Sequence, residues 1–91
     1  MEELFNLRPI YENTKCYYGK AVVKVQGTKR TLYSYQDPVA EYDTATDQMK
    51  LLWDYARDGN EMPVTTQRHL VEFARQRNYL FDAAGRTFKK I

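Results

Sequence analysis

The sequence predicts an α+β fold in a single domain, residues 1–91: a four-stranded antiparallel sheet with one C-terminal helix packed on one face, in the order β-β-β-β-α. Three observations lead there. Residues 16 to 26 alternate with a period of two and run into a glycine-containing turn, Gln26-Gly27-Thr28-Lys29, which marks a hairpin. Met49, Leu51, Trp53 and Tyr55 repeat the alternation later in the chain. After Thr65 the apolar spacing changes to the 3.6 of a helix. A chain of 91 residues holds one core but is too short to cover a sheet with helices on both faces.

In the first strand Tyr17, Gly19, Ala21, Val23 and Val25 share one face, and Tyr18, Lys20, Val22, Lys24 and Gln26 share the other. Its antiparallel partner is Arg30-Thr31-Leu32-Tyr33-Ser34-Tyr35, rich in residues that favour strands. Asp37-Pro38 breaks that run, because proline gives no amide proton to a ladder and restricts the residue before it. Val39-Ala40-Glu41-Tyr42 is therefore expected as a short separate strand, and Asp43 to Asp47 as a turn. The fourth strand carries the chain's single tryptophan on its core face, and residues 57 to 63 form a loop.

The helix is expected to be capped by Thr65 or Thr66, whose hydroxyl can accept an orphan amide of the first turn. Leu70, Phe73, Ala74, Arg77, Leu80, Phe81 and Ala84 fall on one stripe, opposite Arg68, Glu72, Arg75 and Tyr79. The stripe carries the helix to Ala84 with Gly85 in the left-handed position that follows, unless Asn78-Tyr79 ends it a turn or two earlier. The stretch up to Asn13 is left as a short extra element.

Eight tyrosines in 91 residues, interleaved with lysines, are the distinctive compositional feature. Tyrosine serves equally in a thin core and on a recognition surface. The net charge of +2 conceals blocks: minus 2 over residues 1 to 13, +5 over 14 to 36, minus 5 over 37 to 63 and +4 over 64 to 91. Such asymmetry marks either a basic binding face or basic strands lying beside acidic ones in one sheet. The single cysteine, Cys16, forms no internal disulfide, which points to a reducing cytoplasm. The first residues lack the charge and apolar run of a signal peptide, and no stretch approaches the roughly 20 apolar residues of a membrane span, so no membrane association is expected.

Tyr17-Tyr18-Gly19-Lys20-Ala21, Thr31-Leu32-Tyr33-Ser34-Tyr35 with Val39-Ala40, Leu52-Trp53-Asp54-Tyr55 and Thr65-Thr66-Gln67-Arg68-His69-Leu70-Val71-Glu72-Phe73 together resemble a family of small uncharacterised proteins of bacteriophages and bacterial mobile elements. The resemblance runs from Tyr17 to Phe73 and departs from the family pattern between Asp54 and Thr65, where the loop is longer. It implies a phage or prophage origin, and a protein that works by binding a host protein. It implies no established activity.

Catalytic residues are not expected. His69 is the only histidine, it lies on a different element from Cys16, and no third partner suggests a nucleophile and base. The imidazole is expected to pack on Phe73 or to bond to the loop before the helix. No metal site and no cofactor are expected, since the aspartates lack ligand-loop spacing and the four glycines are scattered. The binding candidates are Tyr18, Lys20, Lys24, Lys29, Arg30, Tyr33 and Tyr35, a basic aromatic hairpin suited to a protein partner or, as the alternative, to single-stranded nucleic acid. One helix covers one sheet face, so an apolar opposite face carrying some of Tyr18, Val22, Tyr33, Tyr35 and Leu52 is expected to be covered by a second copy in a homodimer, or by Leu4, Phe5, Leu7 and Ile10.

Overall fold

A computed structural model of the chain describes residues 2–8, 10, 20–56, 59 and 61–91. Its strands are β1 (Glu2–Asn6), β2 (Ala21–Gln26), β3 (Lys29–Ser34), β4 (Asp37–Asp43), β5 (Gln48–Leu51), β6 (Tyr79–Asp82) and β7 (Thr87–Lys90), and its helix is α1 (Val64–Arg75). The first five strands form one antiparallel sheet in chain order, and β6 and β7 form a separate hairpin. The α+β class stands. The expected four-stranded sheet has five strands, and the helix lies between strands instead of closing the chain.

Alternation sets the register of the large sheet. Ala21 faces Ser34 and Val23 faces Leu32, which in turn faces Ala40, so these side chains share the buried face. Gly27 turns the β2–β3 hairpin at φ +62, where a side chain would be strained. The separate strand expected at Val39–Tyr42 is present, but it runs from Asp37 to Asp43 with Pro38 inside it and not before it. Leu32 pairs with Ala40 while Tyr33 pairs with Pro38, so Val39 is an extra residue, and Pro38 sits at the resulting bulge. The Val39 carbonyl then accepts the Leu52 and Trp53 amides at 2.8 and 3.1 Å. β5 accordingly stops at Leu51, short of Trp53 and Tyr55, although Trp53 is still buried in the core.

The helix is shorter than its apolar stripe suggests. Leu70, Phe73 and Ala74 are buried as expected, but the chain leaves the helix after Arg75 and Asn78 turns it at φ 64. Leu80 and Phe81 belong to β6, and the left-handed turn position near Gly85 is taken by Arg86 at φ 53. Neither threonine caps the helix. Pro63 precedes its first turn, and the Thr66 hydroxyl bonds across to the sheet. Glu72, expected on the solvent face, is buried and accepts the Gln76 side-chain amide at 2.7 Å, which also donates to the Arg8 carbonyl at 2.6 Å.

α1 and the β6–β7 hairpin lie side by side on the buried face of the sheet. The helix covers Val23, Leu32 and Ala40, and the Phe81 and Phe88 rings, 5.3 Å apart, extend the cover toward Tyr42, Met49 and Leu51. Asp47, at φ 53 in the β4–β5 turn, fastens the hairpin down. Its carboxylate accepts the Tyr42 hydroxyl and the Lys90 ammonium, and its carbonyl accepts the Tyr79 hydroxyl, each at 2.5 Å. Those bonds hold the Asp47 carboxyl below its ordinary value, with Lys90 the larger cause, and push Lys90 and Tyr42 above theirs.

The open face of the sheet is not the apolar and aromatic surface expected. One cross-strand row reads Leu4, Lys24, Thr31, Glu41 and Lys50, and another carries Gln26, Lys29, Asp43 and Gln48. Val22 and Tyr33 form a small apolar island. Leu52 lies beyond β5, Tyr35 lies in a turn, and Tyr18 is outside the described residues. The N-terminal segment adds an edge strand and does not cover that face: Leu7 is buried, while Leu4, Phe5 and Ile10 are exposed.

Candidate binding surface

The structure divides the expected basic aromatic hairpin into separate places. Lys24, Lys29 and Tyr33 share the open face, and Lys29 Nζ is already paired with Glu41 Oε1 at 3.2 Å. Arg30 has the alternation phase of Leu32 and stands on the helix side, where its guanidinium donates to the Gly27 carbonyl at 2.8 Å and to its neighbour's carbonyl at 3.4 Å. Lys20 is exposed just before β2, and its carbonyl accepts the Tyr35 amide at 2.9 Å. Tyr35 and Lys20 therefore form a second group at the end of the sheet. Tyr18 and Cys16 lie outside the described residues.

Tyr35 is held in an unusual conformation. Two residues, Tyr35 at φ 51 and Gln36 at φ 72, join β3 to β4, the pattern of a hairpin turn that ordinarily takes Asn-Gly. A left-handed conformation costs an L-residue other than glycine roughly 1–2 kcal/mol, and a bulky aromatic gains nothing back from local hydrogen bonding as Asn or Asp would. The ring is nonetheless 50% exposed, so burial does not repay that cost. One edge of it leans on His69, with ring centroids 5.9 Å apart.

Beneath that ring lies a polar cluster. His69 Nδ1 is 2.8 Å from Ser34 Oγ, which is 3.1 Å from Thr66 Oγ1, joining the end of β3 to the first half of α1. A serine beside an imidazole has the chemistry of a nucleophile and base. Ser34, Thr66 and His69 are all buried, however, so a substrate has no approach in this arrangement. The cluster pins the helix to the sheet. Among the described residues no three His, Cys, Asp or Glu side chains converge as a metal site.

Arg77, expected on the core stripe, is indeed drawn inward. Its guanidinium lies 3.9 Å from the centre of the Phe73 ring and 5.8 Å from that of Tyr42, and donates to the Phe73 carbonyl at 3.0 Å. Burial lowers its pKa to about 10, and nearby Arg30 acts in the same direction, so at neutral pH the charge stays on and is balanced by aromatic faces and a helix-end carbonyl.

The outer side of α1 carries a surface the apolar stripe did not reveal. Val64, Val71 and Leu80 are exposed and, with Gln67, Arg68, Glu72 and Arg75, line a groove of about 660 Å³. Val64 and Val71 are seven residues apart and so share one helix face, a spacing visible in the sequence but masked there by the stronger Leu70-Phe73-Ala74 signal. No curated protein and no solved structure matches the chain. Residues 5–90, which take in β2 to β5, the helix and the terminal hairpin together, match the family of unknown function DUF8033, and the chain belongs to that family.

Proposed function

We propose that this chain is a non-enzymatic binding protein, of the small kind encoded by bacteriophages and prophages, that contacts a host protein in the bacterial cytoplasm. The observation that carries this reading is Tyr35. A backbone outlier kept without compensation from burial is ordinarily kept for what its side chain does, and a half-exposed tyrosine on a rigid two-residue turn is a ready interface anchor. The exposed valines of α1 add apolar contact area of the kind that such partners use.

Replacing Tyr35 with glycine separates the two roles of the residue. Glycine relieves roughly 1–2 kcal/mol of left-handed strain and returns about 0.5–1 kcal/mol to the freer unfolded chain, so the variant should be about as stable as the parent or slightly more so. Retention of a discrete protein from nuclease-treated bacterial lysate should fall about tenfold, the scale of a lost hot-spot tyrosine. Equal retention by Tyr35→Gly would remove the reading.

A second reading, single-stranded nucleic acid, is favoured by one observation, the common face of Lys24, Lys29 and Tyr33. Its mark is affinity that collapses with salt. For a second copy of this chain, the apolar feature on offer is the exposed Leu4 and Phe5 of edge strand β1, which suits a homodimer formed edge to edge.

A further inference from the structure

The outer edge of β5 presents backbone that no strand among the described residues pairs with. The Leu52 amide bonds to the Val39 carbonyl, which fixes the phase of the β4–β5 ladder. In an antiparallel ladder bonded and non-bonded pairs alternate, so Lys50 and Gln48 turn their backbone groups toward Glu41 and Asp43. The amides and carbonyls of Met49 and Leu51 then point away from β4, and among the described residues no strand pairs with that edge. The same phase argument applies to the hairpin. Ile91 N bonds to Asn78 O, so Phe88 and Lys90 turn their backbone groups away from β6.

A cleft of about 530 Å³ lies along this edge, lined by all four residues of β5 together with Tyr79, Arg86, Thr87 and Phe88. Met49 and Leu51 are half-buried on its core side. The charged side chains among its lining residues are Lys50 and Arg86, the latter stacked 3.8 Å from the centre of the Tyr55 ring. The neighbouring acids are already engaged: Asp47 by Lys90, and Glu41 by Lys29. A lysine on an edge strand ordinarily wards off indiscriminate pairing. Here it leaves the edge open to one kind of strand.

We propose that the β5 edge is a docking site for an extended segment of a partner protein, taken up as an added strand through the Met49 and Leu51 backbone and carrying an acidic side chain beside Lys50. Backbone bonding supplies the affinity, and the charge on alternate positions supplies the choice of partner. This surface is separate from Tyr35, and the proposal holds whether or not Tyr35 anchors a partner.

The test uses the full chain and three blocked pentapeptides: Thr-Val-Glu-Val-Thr, the same with lysine for glutamate, and the acidic one with proline in place of both valines, the positions whose amides would face Met49 and Leu51. At about 1 mM acidic peptide, the amide resonances of Met49 and Leu51 should shift and their hydrogen exchange should slow. The acidic peptide should bind about three- to fivefold more tightly than the lysine peptide, a cross-strand charge pair's worth. Lys50→Glu should reverse that order, and the proline peptide should not bind. Tyr35→Gly should bind all three as the parent does, which separates this site from the tyrosine anchor. No change at Met49 and Leu51, equal affinity for both charges, or binding retained by the proline peptide would each overturn the proposal.

Discussion

At the scale of single residues, the side chains that look most chemical do structural work. Ser34 is the central member of the buried cluster, with Thr66 on one side and His69 on the other. Ser34→Ala leaves both partners buried without it, and an unsatisfied buried polar group costs about 1–3 kcal/mol. The urea midpoint should therefore fall with the denaturant slope unchanged, since the surface exposed on unfolding is the same. A midpoint that does not move would mean that Ser34 is not what holds the imidazole. The pairing was out of reach of the sequence. Position 69 falls beside the helix stripe and position 34 on a strand, but no local pattern tells which strand residue a helix will meet 35 positions later.

At the scale of elements, the β6–β7 hairpin packs beside α1 and is tied by polar bonds to the β4–β5 turn, and Asp47 makes that tie depend on pH. Its carboxyl is lowered in the folded state, so the stability it contributes is present above the ordinary carboxylate value of about 3.9 and is lost as pH falls through the folded value. Lys90 and Tyr42 are raised, so theirs is present below their ordinary values of about 10 and lost as pH rises through the folded ones. On acidification the hairpin amides should lose hydrogen-exchange protection before those of β2, β3 and β4. Asp47→Asn keeps a residue that tolerates φ 53 but removes the charge, and should bring the same ordered loss to neutral pH. Simultaneous loss in hairpin and sheet would show that Asp47 does not control a separate unit. The hairpin was missed because Leu80, Phe81 and Ala84 continue the helix stripe by coincidence of spacing, while the alternation of Tyr79 and Phe81 against Leu80 and Asp82 covers only four residues. The first hairpin was legible because its alternation is longer and ends in a glycine turn.

At the scale of the whole molecule, the sign blocks of the sequence become neighbours in the sheet. The acidic β4 lies between the basic β3 and the Lys50 of β5, and the row Lys24, Thr31, Glu41, Lys50 alternates in charge across strands instead of presenting one sign. Of the two readings open from the sequence, cross-strand complementarity is realised, at least in the Lys29–Glu41 pair. The strand order needed to see this follows from the short turns, which place consecutive strands side by side. What the turns do not give is the cover on the second layer. A field built of adjacent opposite charges binds polyanions weakly, and Glu41 is, with Asp43, one of the acids that offset Lys29 on the face shared with Lys24 and Tyr33. Glu41→Gln keeps the size of the side chain and removes its share of that offset. The parent should bind a single-stranded oligonucleotide weakly at about 50 mM salt, the variant several-fold more tightly, and the two should converge toward about 200 mM as counterion release loses its force. Tight binding by the parent that persists at the higher salt would instead point to stacking on Tyr33 and would place nucleic acid ahead of protein as the partner.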